Sequence, residues 1–220
     1  RLLRGARVDD VDRIGKWLFL RITDGQLLIH LGMTGKLEWV GPQHAPDRFE
    51  RAALVSEAGR LAFLDRRRLG GWWWVTSADE LIAVTGELGR DARRITAGTL
   101  AARLRSRKRA LKVALMDQHL IAGLGNMLSD EILWRAGIHP KRRAGSLRPV
   151  EVRTLWRECR RICRLALDTI AGLGTYLPPD LNAHIPRTWL FWHRWEDGGR
   201  DPRTKTPLAR AEIGGRTTCW

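Results

Sequence analysis

Apolar and polar positions change rhythm twice along the chain. In the first third, Trp17-Leu18-Phe19-Leu20-Arg21-Ile22 is followed by Thr23-Asp24-Gly25 and then Gln26-Leu27-Leu28-Ile29-His30-Leu31. Two apolar runs around an Asp-Gly turn predict a β-hairpin. Further strands are expected over 35–40, 52–56, 61–64 and 71–75, separated by Gly, Pro and Asp, and that spacing suggests a sheet sandwich. After Thr76-Ser77-Ala78-Asp79 the period moves toward 3.6, with Leu100, Leu104, Leu111, Leu115 and Leu120 recurring among Arg and Lys. This predicts a domain boundary near Ser77. A helix over 126–136 should stop at Gly137 with Pro140 just beyond, and a long helix over about 148–171 should end at Gly172 and Gly174. From Pro186 short strands are expected again, around Gly198-Gly199 and Gly214-Gly215. The chain therefore reads as α+β: an N-terminal β-sandwich over 1–77, incomplete at its start, a helical domain over 78–185, and a C-terminal hairpin over 186–220.

Charge narrows the class of partner. Lys and Arg number 39 against 24 Asp and Glu, a formal net charge of +15, which favours a polyanion: nucleic acid or an anionic membrane surface. An arginine excess on its own can equally reflect genome composition, so placement has to decide. No apolar run approaches the ~18 residues of a spanning helix, and the first residues do not lead into a signal-peptide core, so a soluble cytoplasmic protein with no membrane partner is expected. Cys159, Cys163 and Cys219 are too few and unevenly spaced for a disulfide framework. Cys159 and Cys163, four apart in a helical pattern, read as two small buried side chains.

The most informative stretch is Leu115-Met116-Asp117-Gln118-His119-Leu120-Ile121-Ala122-Gly123-Leu124-Gly125-Asn126. It places two glycines and an asparagine immediately before a helix, where free backbone N–H groups and the helix dipole favour an anion such as phosphate. Gly123 and Gly125 remove side chains that would block close approach, and Asn126 adds a donor. Taken alone, the turn reads equally well as a plain helix cap. It does not fit the nucleotide-binding glycine spacings.

This segment, with Ala110-Leu111-Lys112 before it and Asp130-Glu131-Ile132-Leu133 and Ala136-Gly137-Ile138-His139-Pro140 after it, resembles the helix-two-turn-helix core of the formamidopyrimidine-DNA glycosylase and endonuclease VIII family. Gly15-Lys16, His30-Leu31-Gly32-Met33-Thr34-Gly35, Asp65-Arg66-Arg67-Arg68-Leu69-Gly70 and Gly214-Gly215-Arg216-Thr217-Thr218 resemble the same family's signatures in the same order. The resemblance implies a base-excision repair enzyme, a bifunctional glycosylase and abasic-site lyase acting on double-stranded DNA with oxidised bases, of formamidopyrimidine, 8-oxoguanine or oxidised-pyrimidine type. It implies a bacterial-type, nucleoid-associated monomer. Lys112 and Asn126 match the pair that grips backbone phosphates beside the lesion. Met33, Arg67 and the position of Leu69 match the loop residues that fill the gap left by a flipped nucleotide, which recovers part of the few kcal/mol that extrusion costs. The formamidopyrimidine branch usually has Phe at Leu69, so stacking there should be weaker. Lys16 matches a lysine that assists strand-cleaving elimination. Arg216 matches the fingertip arginine that binds phosphate and takes part in later elimination.

Two features depart from the family pattern. Members begin Pro-Glu-Leu-Pro-Glu, where the terminal proline amine attacks the sugar and the Glu handles protons. Arg1 stands instead in what looks like the middle of the first domain, so no nucleophile is assigned, and the chain without its Pro-Glu is expected to be inactive. The expectation is that the upstream part is missing; a damage-binding protein that has lost catalysis is the alternative. Many relatives also hold zinc in the finger with two Cys-x-x-Cys pairs, but the first pair here is Asp201 and Thr204. A four-ligand site is defeated, so no cofactor and no metal is expected, and the hairpin should be held by packing of Trp192, Trp195 and Leu208. An RNA-binding protein using the same turn is the rival from another class. It would have no need of the motifs at His30 and Asp65.

Overall fold

Alternating apolar residues build the N-terminal part from seven strands: β1 (Val8–Ile14), β2 (Trp17–Ile22), β3 (Gly25–His30), β4 (Gly35–Val40), β5 (Glu50–Ser56), β6 (Gly59–Asp65) and β7 (Gly71–Val75). The structure is a computed structural model that describes residues 3–171, 182–194 and 198–220. The strands form two antiparallel sheets, in the orders β1-β2-β3-β7 and β4-β6-β5. The pairing Ile22↔Gly25 leaves Thr23-Asp24 as the hairpin loop, and the register Leu20↔Leu27↔Trp74 puts their side chains on one face. That face buries Leu20, Ile22, Leu27 and Ile29 against Leu37 and Leu54 of the second sheet, which is the predicted sandwich. Strand β1 is the element that the apolar rhythm does not signal. Val-Asp-Asp-Val-Asp-Arg-Ile buries almost nothing, and its ladder with β2 alone makes it a strand. A charged edge of this kind also discourages pairing with a second sheet.

The change of period near Ser77 marks a helix start. Helix α1 (Ala78–Thr85) is capped by Ser77, whose hydroxyl accepts from Glu80 N at 3.2 Å, while the Glu80 carboxylate accepts from Thr76 N at 2.7 Å. Because α1 packs on β7, it belongs to the first compact unit, Arg1–Glu87, and the second runs Leu88–Trp220. Ten residues of periodic sequence thus sit on the sheet side of the division.

The second unit contains β8 (Arg90–Asp91), α2 (Ala97–Arg105), α3 (Leu111–Met116), β9 (Ile121–Ala122), α4 (Asn126–Ala136), α5 (Pro149–Leu165), and the hairpin β10 (Arg210–Ile213) and β11 (Arg216–Cys219). The leucines that set the helical period, Leu100, Leu104, Leu111, Leu115 and Leu120, are all at most 3% exposed and share one core with Ile132, Leu155 and Ile162. Burying each contributes about 1.5–3 kcal/mol. Cys159 and Cys163 lie in the same core and are not joined by a disulfide, as their spacing suggests. Helix α4 ends at Gly137 in the left-handed conformation, φ 64°, whose N–H returns to Leu133 O and Trp134 O. Helix α5 starts on Pro149 and continues beyond Leu165 in π-helical turns over Ala166–Ala171. The expected stop at Gly172 and Gly174 lies outside the described residues, as does Trp195. Around Gly198-Gly199 the expected strands reduce to one bridge, Arg200↔Pro207. Trp192 packs against the helical core and donates to Ile185 O at 2.9 Å, so it does not brace the hairpin; Leu208 does, in a cluster with Trp134, Leu190 and Cys219.

Candidate nucleic-acid interface

In the first unit, two loops meet on one buried carboxylate. Asp65 ends β6 with no exposure. Its Oδ1 accepts from Thr34 Oγ1 at 2.6 Å and Arg67 N at 3.2 Å, and its Oδ2 accepts from Gly70 N at 2.8 Å. The 31–34 and 66–70 loops are therefore tied through a single side chain. Burial pushes the Asp65 carboxyl up, but the bonds from Thr34, Gly70, Arg67 and Leu69 outweigh it and hold the pKa below 3.8. Gly32 sits at φ 62°, and a Cβ there would meet the Leu69 carbonyl carbon at 2.5 Å, so only glycine lets the loops close. Held this way, Met33 and Leu69 are 69% and 50% exposed, large apolar side chains presented to solvent, and Arg67 Nη1 lies 3.4 Å from Met33 Sδ. The three proposed gap-filling residues are thus together. Lys16 is exposed at the β1–β2 turn. Its charge adds to burial in holding His30 below its ordinary pKa, and His30 Nδ1 accepts from Gly32 N at 3.1 Å, at the root of the Met33 loop.

In the second unit, Gln118 organises the turn before α4. Its Oε1 accepts from Gly123 N at 2.9 Å, and its Nε2 donates to Met116 O at 2.7 Å and Leu124 O at 2.9 Å. Gly123, at φ 112°, and Gly125 are partly exposed, and the helix start has no side-chain cap. The first N–H groups of α4 are thus left for an outside acceptor. Asn126 Nδ2 donates one N–H to Thr217 O at 3.2 Å, which joins this turn to the β10–β11 hairpin. The Gly214-Gly215 tip, φ 60° and 71°, is a two-residue turn of the type that matches strand twist, and it leaves Arg216 exposed beside it. Asn126 and the Arg216 strand are therefore brought together.

Lys112 is placed differently from what a direct phosphate grip needs. Its side chain is 0% exposed, ion-paired with Asp130, and donates to Asn126 O at 3.1 Å. Burial pushes the Lys112 ammonium down and the Asp130 carboxyl up, and their mutual attraction opposes both. Arg194 closes the group: it lies 2.8 Å from Asp130 Oδ2 and donates to Thr217 O at 2.8 Å. A buried Lys112–Asp130–Arg194 chain thus runs beneath the turn to the carbonyl that Asn126 also holds. Sequence reading assigns no role to Asp130, Arg194 or Gln118. A charged residue inside a helix's apolar stripe is the signal that would have marked Asp130.

Models of the formamidopyrimidine-DNA glycosylase N-terminal domain and H2TH domain match residues 1–72 and 88–175. The formamidopyrimidine-DNA glycosylase of Geobacter sulfurreducens is 33% identical over 222 residues, spanning 98% of this chain and 81% of its own. The chain belongs to the formamidopyrimidine-DNA glycosylase family. The enzyme of that name from Shewanella halifaxensis is 32% identical over 223 residues, with the same two coverages, 98% and 81%. Among solved structures, Lactococcus lactis Fpg in complex with an abasic site containing DNA has a TM-score of 0.80 at 23% identity, covering 98% of this chain and 81% of that one. The same protein bound to an oxidised pyrimidine containing DNA gives 0.81 at 23%, covering 98% and 80%. At these identities it is the fold that is shared.

Family membership raises the question of a finger metal, and the donor set can be tested. At the positions of the first cysteine pair, Asp201 Oδ1 accepts from Arg203 N at 2.7 Å and Thr204 N at 3.1 Å. Its Oδ2 accepts from the buried Trp134 Nε1 at 2.6 Å. Thr204 Oγ1 bonds Thr206 Oγ1 at 2.7 Å, and Arg203 stacks over Trp134, 3.8 Å from the ring centroid. Cys219 is buried in the apolar cluster, where burial pushes its thiol up. Both carboxylate oxygens are committed, and burial opposes the thiolate form that a zinc ligand needs. These residues do not fit a tetrahedral zinc site.

Proposed function

We propose that this chain carries the DNA-binding and lesion-recognition parts of a glycosylase and abasic-site lyase acting on oxidised bases in duplex DNA. One observation carries the reading: Asn126, at an uncapped helix start behind two glycines, is hydrogen-bonded to the strand that presents Arg216. That arrangement offers a phosphate backbone N–H groups, an amide and a guanidinium from one rigid place. Met33, Arg67 and Leu69 support it from the first unit, as a flexible apolar wedge beside a cation suits the hole left by an extruded base. The family's catalytic pair, proline followed by glutamate, does not occur anywhere in the 220 residues. We therefore assign binding, wedge and elimination-assisting roles (Lys16, Arg216), with no nucleophile among these residues.

The finger, in this reading, is metal-free. Asp201 supports it by making, with hydrogen bonds, the knuckle that a metal would otherwise tie. The substrate requires access to chromosomal DNA, so the reading includes a place at the nucleoid in the cytoplasm, and it takes the chain as a monomer by resemblance to the family; no helix among the described residues is long and apolar enough to cross a membrane.

Binding to a duplex with a tetrahydrofuran abasic analogue, against the same duplex undamaged, tests the proposal. Tighter binding to the analogue is expected, with a preference that shrinks on Met33→Ala and a salt slope that falls by about one on Arg216→Ala. Equal affinity for the two duplexes at every salt concentration would overturn it. Borohydride trapping on an oxidised duplex then tests the amine: these residues are expected to give no covalent product, and a trapped product would refute that assignment.

A further inference from the structure

The second unit carries a groove that the nucleic-acid interface does not use. It has a volume of about 480 Å³ and lies between α2 and the start of α5. Its floor is small and apolar, including Ala101, Leu104, Leu147, Pro149 and Val152, and none of the residues lining it belongs to the Asn126–Arg216 arrangement. Arg105 and Arg153 line it too, both exposed, and among the described residues neither is paired with a carboxylate. The nearest acid along α5, Glu151, is already held by both Arg142 Nη atoms at 2.5 and 3.0 Å. From Arg153 the positive charge continues along the outer face of α5 through Arg157, Arg160 and Arg164, spaced so that they share one side. Glu158, between them, is largely buried and engages Arg161 at 3.2 Å and Arg157 at 3.9 Å, which leaves Arg153, Arg160 and Arg164 as the members of the row without a carboxylate partner among the described residues.

The floor and the rim ask for different things of one ligand. An arginine row by itself would suit nucleic acid, but the floor presents apolar side chains that a phosphate backbone would desolvate without recompense. Aliphatic or aromatic side chains bury there favourably, and carboxylates satisfy the guanidinium groups. We propose that the α2–α5 groove docks an acidic peptide segment of a partner protein, with an apolar side chain seated on Ala101, Leu147 and Pro149 and carboxylates paired to Arg105, Arg153 and the arginines beyond. The surface is independent of the glycosylase reading.

Phage-displayed random peptides selected on the whole chain test this, with counter-selection on Arg153→Glu. Enrichment of sequences in which Asp or Glu flank an aromatic or branched aliphatic residue is expected. Synthesised with a fluorophore, such a peptide should lose about tenfold or more in affinity on either Arg153→Glu or Ala101→Glu, because a charge reversal at the rim and a carboxylate in the floor both oppose it. It should be indifferent to Asn126→Ala. Thermal midpoints near that of the parent certify that both groove variants are folded. The proposal fails if no such peptides are enriched, or if their binding ignores both substitutions. It fails in favour of nucleic acid if a plain oligonucleotide, and not the peptide, loses about tenfold on both.

Discussion

Individual side chains divide into those presented to solvent at the candidate site and those buried beneath it, and the two respond differently to substitution. Lys112 is of the second kind. Removing it as Lys112→Met leaves Asp130 with a buried charge facing only Arg194, a change of the sort that destabilises by about 3–5 kcal/mol. Asp130→Asn in the same chain should recover part of that loss, and urea unfolding of both singles and the double variant measures the coupling. Additive losses would mean that the pair is not an energetic unit. Asp65 makes a pH prediction. Its folded pKa is depressed below 3.8, so the stability it contributes is present above pH 3.8 and disappears as pH falls through the folded value. Unfolding followed between pH 5 and 2 should therefore be less steep in Asp65→Asn than in the parent, and equal slopes would contradict the assignment. Met33→Ala, which removes an exposed side chain that bonds neither Asp65 nor the Lys112–Asp130 pair, should leave stability within about 0.5 kcal/mol. What the sequence singled out at this scale were Met33, Arg67, Leu69 and Arg216, which the structure leaves exposed, and the half-buried Asn126, because their motifs are local. Asp65 opens the Asp65–Gly70 motif, yet its role depends on a partner 31 residues away at Thr34, and no local pattern carries that.

At the scale of elements, apolar rhythm was a good guide wherever an element buries one face. It located β2 and β7 to the residue and α4 with its Gly137 stop, because burial and capping are what make those elements. It was silent on β1, whose existence rests on hydrogen bonds to β2 and not on a buried face. The hairpin shows the same limit: Trp134, eleven positions past the Gly123 turn on α4, braces it through Asp201, and the two residues are 67 apart in sequence. Asp201→Ala would strand the Trp134 indole N–H in a buried setting and free the Arg203 and Thr204 amides, a loss of about 1–3 kcal/mol for the buried group alone. Faster amide exchange across β10 and β11, with α2 and α5 unchanged, is the expected signature. Added zinc should not restore protection. Restoration by zinc, with stoichiometric metal in the purified parent, would show the finger to be a metal site after all.

For the molecule as a whole, a net charge of +15 explains attraction to a polyanion but not selectivity, because long-range attraction is indifferent to base damage. In the proposed reading selectivity comes from the loops bearing Met33 and Leu69, and the two contributions separate with salt. Phosphate contacts release counterions, so affinity for any duplex should fall linearly on logarithmic axes as salt rises, while the ratio between damaged and intact duplex should stay nearly constant. Asn126→Ala and Arg216→Ala should shift both duplexes together and leave that ratio in place. Met33→Ala and Leu69→Ala should do the reverse, lowering the ratio with an unchanged slope, since apolar side chains displace no counterions. Leu69→Phe provides the complementary gain: a larger aromatic face stacks better on the base beside an extruded nucleotide, worth about 1–3 kcal/mol per stacked base in single-strand binders. Anisotropy titrations at four or five salt concentrations measure all of this at once. A ratio that collapses with salt in the parent chain would place the damage preference in electrostatics, and Met33 and Leu69 would then be surface residues without a part in recognition.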